Sequence, residues 1–299
     1  ASSLIMLMLF LLLLFLKAAS VESISLKLNF GDDSIANEAC CVNGGAGTGS
    51  NMNCCNLRSA VAYCAQQTPP INTLEECTVQ LMPWTATAIN SSLGQLELGV
   101  GLTNRMNVTG PGTITSESTL VVSTILTSGS RLFYFSASLP AASLSLSNLT
   151  VTGFGNTTID GGAIWISGDV SVSLSLVTFE DNTGADGGSL WVSGNSLGMR
   201  LDRCVFQRSI ASGSGGGIFG DQGTSGIIVE KSNFTACTAQ EHGGAIEFVS
   251  GHSDVKVDAC VFTSCSAQVY GGALHFGSSS TGISIESSSF KTCSSVQGG

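Results

Sequence analysis

From about residue 144 onward, apolar and polar positions alternate in short runs, and the runs recur at a fixed period. Aligning the chain on Phe179, Phe206, Phe234, Phe262 and Phe290 gives spacings of 27, 28, 28 and 28 residues. Seven and five residues before each Phe stand Val172 and Leu174, Met199 and Leu201, Ile227 and Val229, Val255 and Val257, and Ile283 and Ile285. Two before it stand Val177, Cys204, Ser232, Cys260 and Ser288. Each Phe is followed by a glycine pair: Gly187-Gly188, Gly215-Gly216, Gly243-Gly244, Gly271-Gly272 and Gly298-Gly299. A looser earlier copy places Leu149 in the Phe slot and Gly161-Gly162 as its pair. After the pair a second alternating run begins, with Ile164 and Ile166, Leu190 and Val192, Ile246 and Phe248, and Leu274 and Phe276.

Alternation with a period of two is the strand signature. It predicts three short strands per repeat and leaves no room for a helix. Such a unit cannot bury its own apolar face, but stacked copies can, each strand pairing with its counterpart one rung away. The sequence therefore predicts an all-β parallel β-helix with internal ladders of like side chains. The Phe column and the Ile/Leu column after the glycines are the clearest. The glycine pairs are expected to supply positive φ at a sharp corner. All five prolines (Pro69, Pro70, Pro83, Pro111 and Pro140) precede the regular repeats, as a ladder that needs every N–H requires. A β-sandwich would not hold the positional period, and a propeller blade needs four strands and about 40 residues.

The rest of the chain divides around this array. Leu4 to Leu16 is an unbroken apolar run followed by Lys17, Ala18, Ala19 and Ser20. A spanning helix needs about 20 apolar residues, so residues 1–20 are expected to be a secretory signal peptide; an uncleaved membrane anchor is the competing reading. The charged leader and initiator Met are missing, so the reading frame is expected to begin earlier. Residues 21–77 form a Cys-rich segment. Within it Leu57, Ala60, Val61 and Cys64 recur at helical spacing, predicting a short capping helix near 56–64. Residues 78–299 make up the solenoid, with irregular rungs to about 150. The last repeat stops at its glycine pair, and further sequence is expected beyond it.

There are 11 cysteines. Six come early: Cys40, Cys41, Cys54, Cys55, Cys64 and Cys77. An even cluster behind a signal peptide reads as disulfides, with fifteen connectivities open. A zinc site would show C-x-x-C pairs or neighbouring His, and neither is present. Cys237, Cys265 and Cys293 each lie three residues after a Phe and are expected to stack on successive rungs; Cys204 and Cys260 occupy an inward slot. Two readings stand for these: disulfides (rung to rung, or between Cys260 and Cys265) and a column of reduced buried thiols. Five sequons, at Asn90, Asn107, Asn148, Asn156 and Asn233, are candidate glycosylation sites.

Composition narrows the function. Only 11% of residues are charged and the net charge is −10, with 11 Lys and Arg. No basic cluster is available for phosphate contacts, which excludes nucleic acid as a partner. With 43% hydrophobic residues the chain is not of disordered composition. The 37 glycines fit the corners of a solenoid, and short Ser and Thr outside would spare like charges from stacking at the strand spacing.

The repeats resemble the right-handed parallel β-helix superfamily of pectate lyase-like proteins. They are most similar to the repeats of chlamydial polymorphic outer-membrane proteins. Gly161-Gly162-Ala163-Ile164 and Gly243-Gly244-Ala245-Ile246 match that family's Gly-Gly-Ala-Ile motif, and Phe179-Glu180-Asp181-Asn182 matches its Phe-x-x-Asn motif. Other copies depart from the second, with Ser209, Cys237, Cys265 and Cys293 in the Asn slot. Leu57-Arg58-Ser59-Ala60-Val61 is similar to the opening of such domains. The resemblance covers about residues 56–299. It implies a right-handed coil and an adhesin-like passenger, secreted or on the cell surface.

Candidate chemistry is sparse. One column should hold Trp165, Trp191, Phe219, Glu247 and His275, and another, just before the glycine pairs, Asp160, Asp186, Ser214, His242 and Tyr270. Stacked Trp165 and Trp191 suggest a sugar platform. His242, Glu247 and His275 are the weak catalytic candidates, because glycoside hydrolysis wants two carboxylates and this group supplies one. Gly194-Asn195-Ser196-Leu197-Gly198 has the esterase-elbow letters without its strand-to-helix setting. The Gly44–Gly49 run lacks the Lys of a phosphate loop. No cofactor or metal site is expected. The expected function is a non-enzymatic scaffold presenting its wall to a surface glycan or protein ligand, with membrane attachment only through the leader or a later anchor. A carbohydrate-active enzyme and a structural cell-wall or matrix protein are the alternatives.

Overall fold

The computed structural model describes residues 131–298, apart from 195–197 and 222, and upstream of them the strands Ser23–Leu28, Val42–Asn43, Asn51–Cys54, Glu76–Gln80, Ala86–Asn90, Leu96–Leu98, Arg105–Thr109 and Thr113–Glu117. The described residues form a parallel β-solenoid without helix. No described helix is long and apolar enough to cross a membrane. The leader at 1–20 and the capping segment at 56–64 lie outside the described residues.

Each rung repeats one cycle of strands. The Phe206 rung comprises Leu190–Ser193, Met199–Asp202, Val205–Gln207 and Ile210–Ala211. Every one of these pairs in parallel and in register with its counterpart in the Phe234 rung, at Ile218–Gly220, Ile227–Glu230, Asn233–Thr235 and Thr238–Ala239. The cycle continues through the Phe262 and Phe290 rungs. A rung thus has four strands, one more than the sequence pattern predicts. The fourth is only two residues long, too short to show alternation.

Pairing corrects one slot. In the strand Phe133–Thr152 it is Val151 that lies opposite Phe179, while Leu149 lies opposite Val177. The same strand contains Pro140. Its register with the next rung jumps from Ala137 to Ala142 between Gly168 and Val170, and Pro140 falls inside that unpaired jump. A bulge is where a strand tolerates a missing N–H. Upstream, Glu76–Gln80 pairs in parallel with both Ser23–Leu28 and Arg105–Thr109, and Arg105–Thr109 pairs with Phe133–Thr152, so rungs precede the regular array.

The core is a set of ladders. Phe179, Phe206, Phe234, Phe262 and Phe290 stack with centroids 4.8, 4.7, 4.9 and 4.9 Å apart. The first four are fully buried. Burying each of those rings contributes about 1.5–3 kcal/mol. Val172, Met199, Ile227 and Val255 line a second ladder, and Ile164, Leu190, Ile218 and Ile246 a third.

The two glycines of each pair do different jobs. Gly161, Gly187, Gly215, Gly243 and Gly271 have φ between 59° and 66°, as the corner demands. Gly162, Gly188, Gly216, Gly244 and Gly272 do not. At Gly216 a Cβ would lie 2.1 Å from the carbonyl oxygen of Gly244, so the second glycine is there to let successive rungs approach. Two further corners turn in the left-handed region without glycine, at Arg203, Lys231 and Ala259 and at Arg208, Ala236 and Ser264.

Like charges do stack on the outside. Asp202, Glu230, Asp258 and Glu286 are successive partners in one column. Arg200 pairs with Glu230 from the neighbouring column, and Lys256 lies 3.2 Å from Asp258 and 3.7 Å from Glu286. Cations one column away, rather than an avoidance of charge, relieve this stack.

Candidate functional site

The column that the sequence singles out exists. Tyr134, Trp165, Trp191, Phe219, Glu247 and His275 are successive in-register partners on the outward side of the strand that follows the glycine corner. They lie close to the corners: a Cβ on Gly161 would sit 2.9 Å from the Cβ of Trp191. The column is therefore sunk, with Trp191 9%, Phe219 8% and Glu247 2% exposed.

Its aromatic half does not offer ring faces. Tyr134 and Trp165 stack at 4.4 Å and 3°, Trp165 and Trp191 at 4.8 Å and 5°. The faces cover each other, so the expected sugar platform is reduced to ring edges.

The neighbouring corner column is tied together by side chains. Asp160 Oδ1 accepts from Asp186 N at 3.3 Å, Asp186 Oδ1 from Ser214 N at 2.7 Å, and Ser214 Oγ from His242 N at 3.3 Å. Each side chain holds the backbone of the next rung. Burial, with the charges of Asp160, Glu241 and Asp221, raises the Asp186 carboxyl above its ordinary value.

The two columns meet at His242, Glu247, Tyr270 and His275, so the three weak catalytic candidates are brought together. Glu247 Oε2 and His275 Nδ1 are 2.7 Å apart. The His242 ring stacks on both His275, at 4.8 Å, and Tyr270, at 5.4 Å. Burial first, and Asp186 and Glu241 after it, push the Glu247 carboxyl up to about 8. Burial and the neighbouring His242 lower the His275 imidazole. Both directions favour a protonated Glu247 that donates to an uncharged His275 near neutrality. Among the described residues no three His, Cys, Asp or Glu could jointly hold a metal ion.

The late cysteines are thiols, not disulfides. In-register parallel strands keep Cβ atoms about 4.8 Å apart, beyond the about 3.5–4.5 Å a disulfide needs. Each thiol is engaged elsewhere. Cys237 Sγ donates to Phe206 O and Cys265 Sγ to Phe234 O, both at 3.5 Å, and Cys204 Sγ donates to Leu174 O at 3.5 Å. Cys260 Sγ contacts Val229 O at 3.4 Å and Asp258 O at 3.3 Å, with no bridge to Cys265. The side chains of Cys40, Cys41, Cys54, Cys55, Cys64 and Cys77 lie outside the described residues.

Of the sequons, Asn148 and Asn233 are exposed, and Asn156 Oδ1 accepts from Thr158 N at 2.8 Å and Thr158 Oγ1 at 2.7 Å. The side chains of Asn90 and Asn107 lie outside the described residues. Sequence reasoning missed His252. Fully buried, it joins Thr224 Oγ1 through Nδ1 and Gly220 O through Nε2 at 3.2 Å. Its slot holds Thr224 one rung earlier, and only the gap left by Gly220, filled by the Phe248 ring, marks room for a histidine.

These features define a parallel β-solenoid with one sunken, partly ionisable wall. No family model, curated protein or solved structure matches the chain. The likeness to pectate lyase-like and chlamydial repeats therefore rests on the quoted motifs alone.

Proposed function

We propose that this chain is a non-enzymatic binding scaffold, exported to the cell surface or beyond, that presents its wall to a glycan or protein ligand. The observation that carries the reading is the state of Glu247. It is the one carboxyl between Tyr134 and His275 in the sunken column, it is 2% exposed, and it is bonded to His275. A general acid must reach the substrate oxygen it protonates. Glu247 instead closes the column, leaving the edges of Tyr134 and Trp165 and the exposed Tyr270 as contact points. Glycan-array binding of the purified chain tests this, with binding expected to weaken in Trp165→Ala. Binding to neither glycans nor proteins would favour a structural matrix component.

A carbohydrate-active enzyme is the second reading. It is favoured by the Glu247 carboxyl titrating near neutrality, as a general acid does. Reducing ends or unsaturated products released from a polysaccharide panel, and lost in Glu247→Gln, would replace the scaffold reading.

A further inference from the structure

We propose that His242, Glu247, Tyr270 and His275 form a proton-operated latch on the wall, closed near neutrality and opened by acid. The geometry has three parts. The rings of Tyr270, His242 and His275 lie within 26° of parallel, with His242 against both of the others. Glu247 beneath them is bonded to His275. His242 Nδ1 is buried and has no hydrogen-bond partner.

That last atom decides the response. An uncharged imidazole with its hydrogen on Nε2 leaves a bare lone pair at Nδ1, which a stacked, sheltered position tolerates. An imidazolium carries a hydrogen on both nitrogens, and the Nδ1–H of His242 would have no acceptor. A buried, unpartnered charged donor is strongly disfavoured. Protonation of His275 adds to the effect. Glu247, already protonated near neutrality, has no charge with which to balance that cation, so two stacked cations are left uncompensated. The charged groups around the cluster are Asp186 and Glu241, which act on Glu247, and Asp160 and Asp221, which act on Asp186; an imidazolium that turns out of the stack gains their attraction. Two protons are thus taken from solvent, one per imidazole, no covalent bond changes, and the His242 ring leaves the stack. Glu247 and the second face of Tyr270 are uncovered. The wall would then present a carboxyl and an open aromatic face in acid, and neither at neutral pH.

The test is carboxyl footprinting and hydrogen exchange on the full chain at about pH 7.5 and about pH 5, on either side of the ordinary histidine pKa. Acid is expected to raise carbodiimide labelling of Glu247 and, after correction for intrinsic rates, amide exchange at Glu247 and His275 by about tenfold, as local opening does. His242→Phe keeps the ring stack and removes the charge, so both increases should vanish. His242→Gln, which is smaller, should open the site at either pH and guards against a misfolded Phe variant. The chain has three histidines, so His252→Gln is the remaining control and should leave the acid response intact. No acid response in the parent, an unchanged response in His242→Phe, or one abolished by His252→Gln would each overturn the latch.

Discussion

Cys237 lies two rungs beyond Asn182 in one buried column, and both donate to the carbonyl 31 residues back: Asn182 Nδ2 to Val151 O at 3.1 Å, Cys237 Sγ to Phe206 O at 3.5 Å. The column therefore asks for a small inward donor that ties each rung to the one before. Asparagine does more, since its Oδ1 also accepts from Phe154 N at 2.9 Å and its Nδ2 reaches Ser189 Oγ at 3.2 Å. Ser189 in turn bonds Ser209, the intervening member of the column, at 2.8 Å.

Asn182→Ala should accordingly destabilise by about 3 kcal/mol, because a buried amide loses its acceptor and two further bonds go. Cys237→Ser keeps a donor of similar size and should cost less than about 1.5 kcal/mol. Chemical denaturation of the two variants, followed with hydrogen exchange at Phe154 N, checks both. Equal losses would mean that the column is filled for volume alone.

The second glycine of each pair should be irreplaceable although its φ is ordinary. In Gly216→Ala the new methyl meets the Gly244 carbonyl at 2.1 Å, backbone against backbone, with nothing flexible to yield. The variant is expected to lose soluble expression. Gly251 is the control: its φ is +84° but a Cβ there meets nothing within 4 Å, so Gly251→Ala should cost only the left-handed penalty of about 1–2 kcal/mol. Thermal midpoints of both variants decide the matter.

How far the sequence speaks follows from periodicity. Phe179 to Phe290, the flanking apolar columns and the glycine pairs recur in every rung, so the solenoid and the column from Trp165 to His275 are legible by alignment. Val151 stands on the period, 28 residues before Phe179, but it is not a Phe, and Leu149 on the same face two residues earlier competes for the slot. The two-residue strand at Ile210–Ala211 is too short to alternate. The bond between Glu247 and His275 was legible only as proximity. Their sunken position depends on how close the glycine corners come, which no spacing reveals. His252 was invisible because its column contains one histidine.

Thiol chemistry should follow burial. Burial pushes the Cys204 thiol up to about 12 and raises Cys260, while contact with Cys237 and then burial raise Cys265. Protonated, enclosed thiols are poor nucleophiles. Iodoacetamide on the native chain, read by peptide mapping, should leave Cys204, Cys237, Cys260 and Cys265 unmodified and label the less buried Cys293 first. All should react after unfolding. A peptide linked through Cys237 and Cys265 would contradict the free-thiol assignment.

Stability should depend on pH with opposite signs at two sites. Burial lowers the imidazoles of His252 and His275 below the ordinary 6.5. The unfolded chain therefore binds more protons than the folded one below that value, and this contribution to stability is lost as pH falls from about 6.5. Glu247 acts in the other sense. Its folded value of about 8 lies above the ordinary 4.5, so the folded chain holds the extra proton, and stability declines as pH rises from 4.5 through 8. Between 4.5 and 6.5 the two slopes oppose, and from 6.5 to 8 Glu247 acts alone. Thermal midpoints across this range should therefore fall between pH 6.5 and 8 in the parent chain and flatten there in Glu247→Gln, which keeps the size and loses the ionisation. The acid-side loss should persist in Glu247→Gln and shrink in His252→Gln, because that histidine lies outside the Glu247 cluster. A parent midpoint that stays level from pH 6.5 to 8 would mean that Glu247 is ionised in the folded chain and that its bond to His275 is an ion pair.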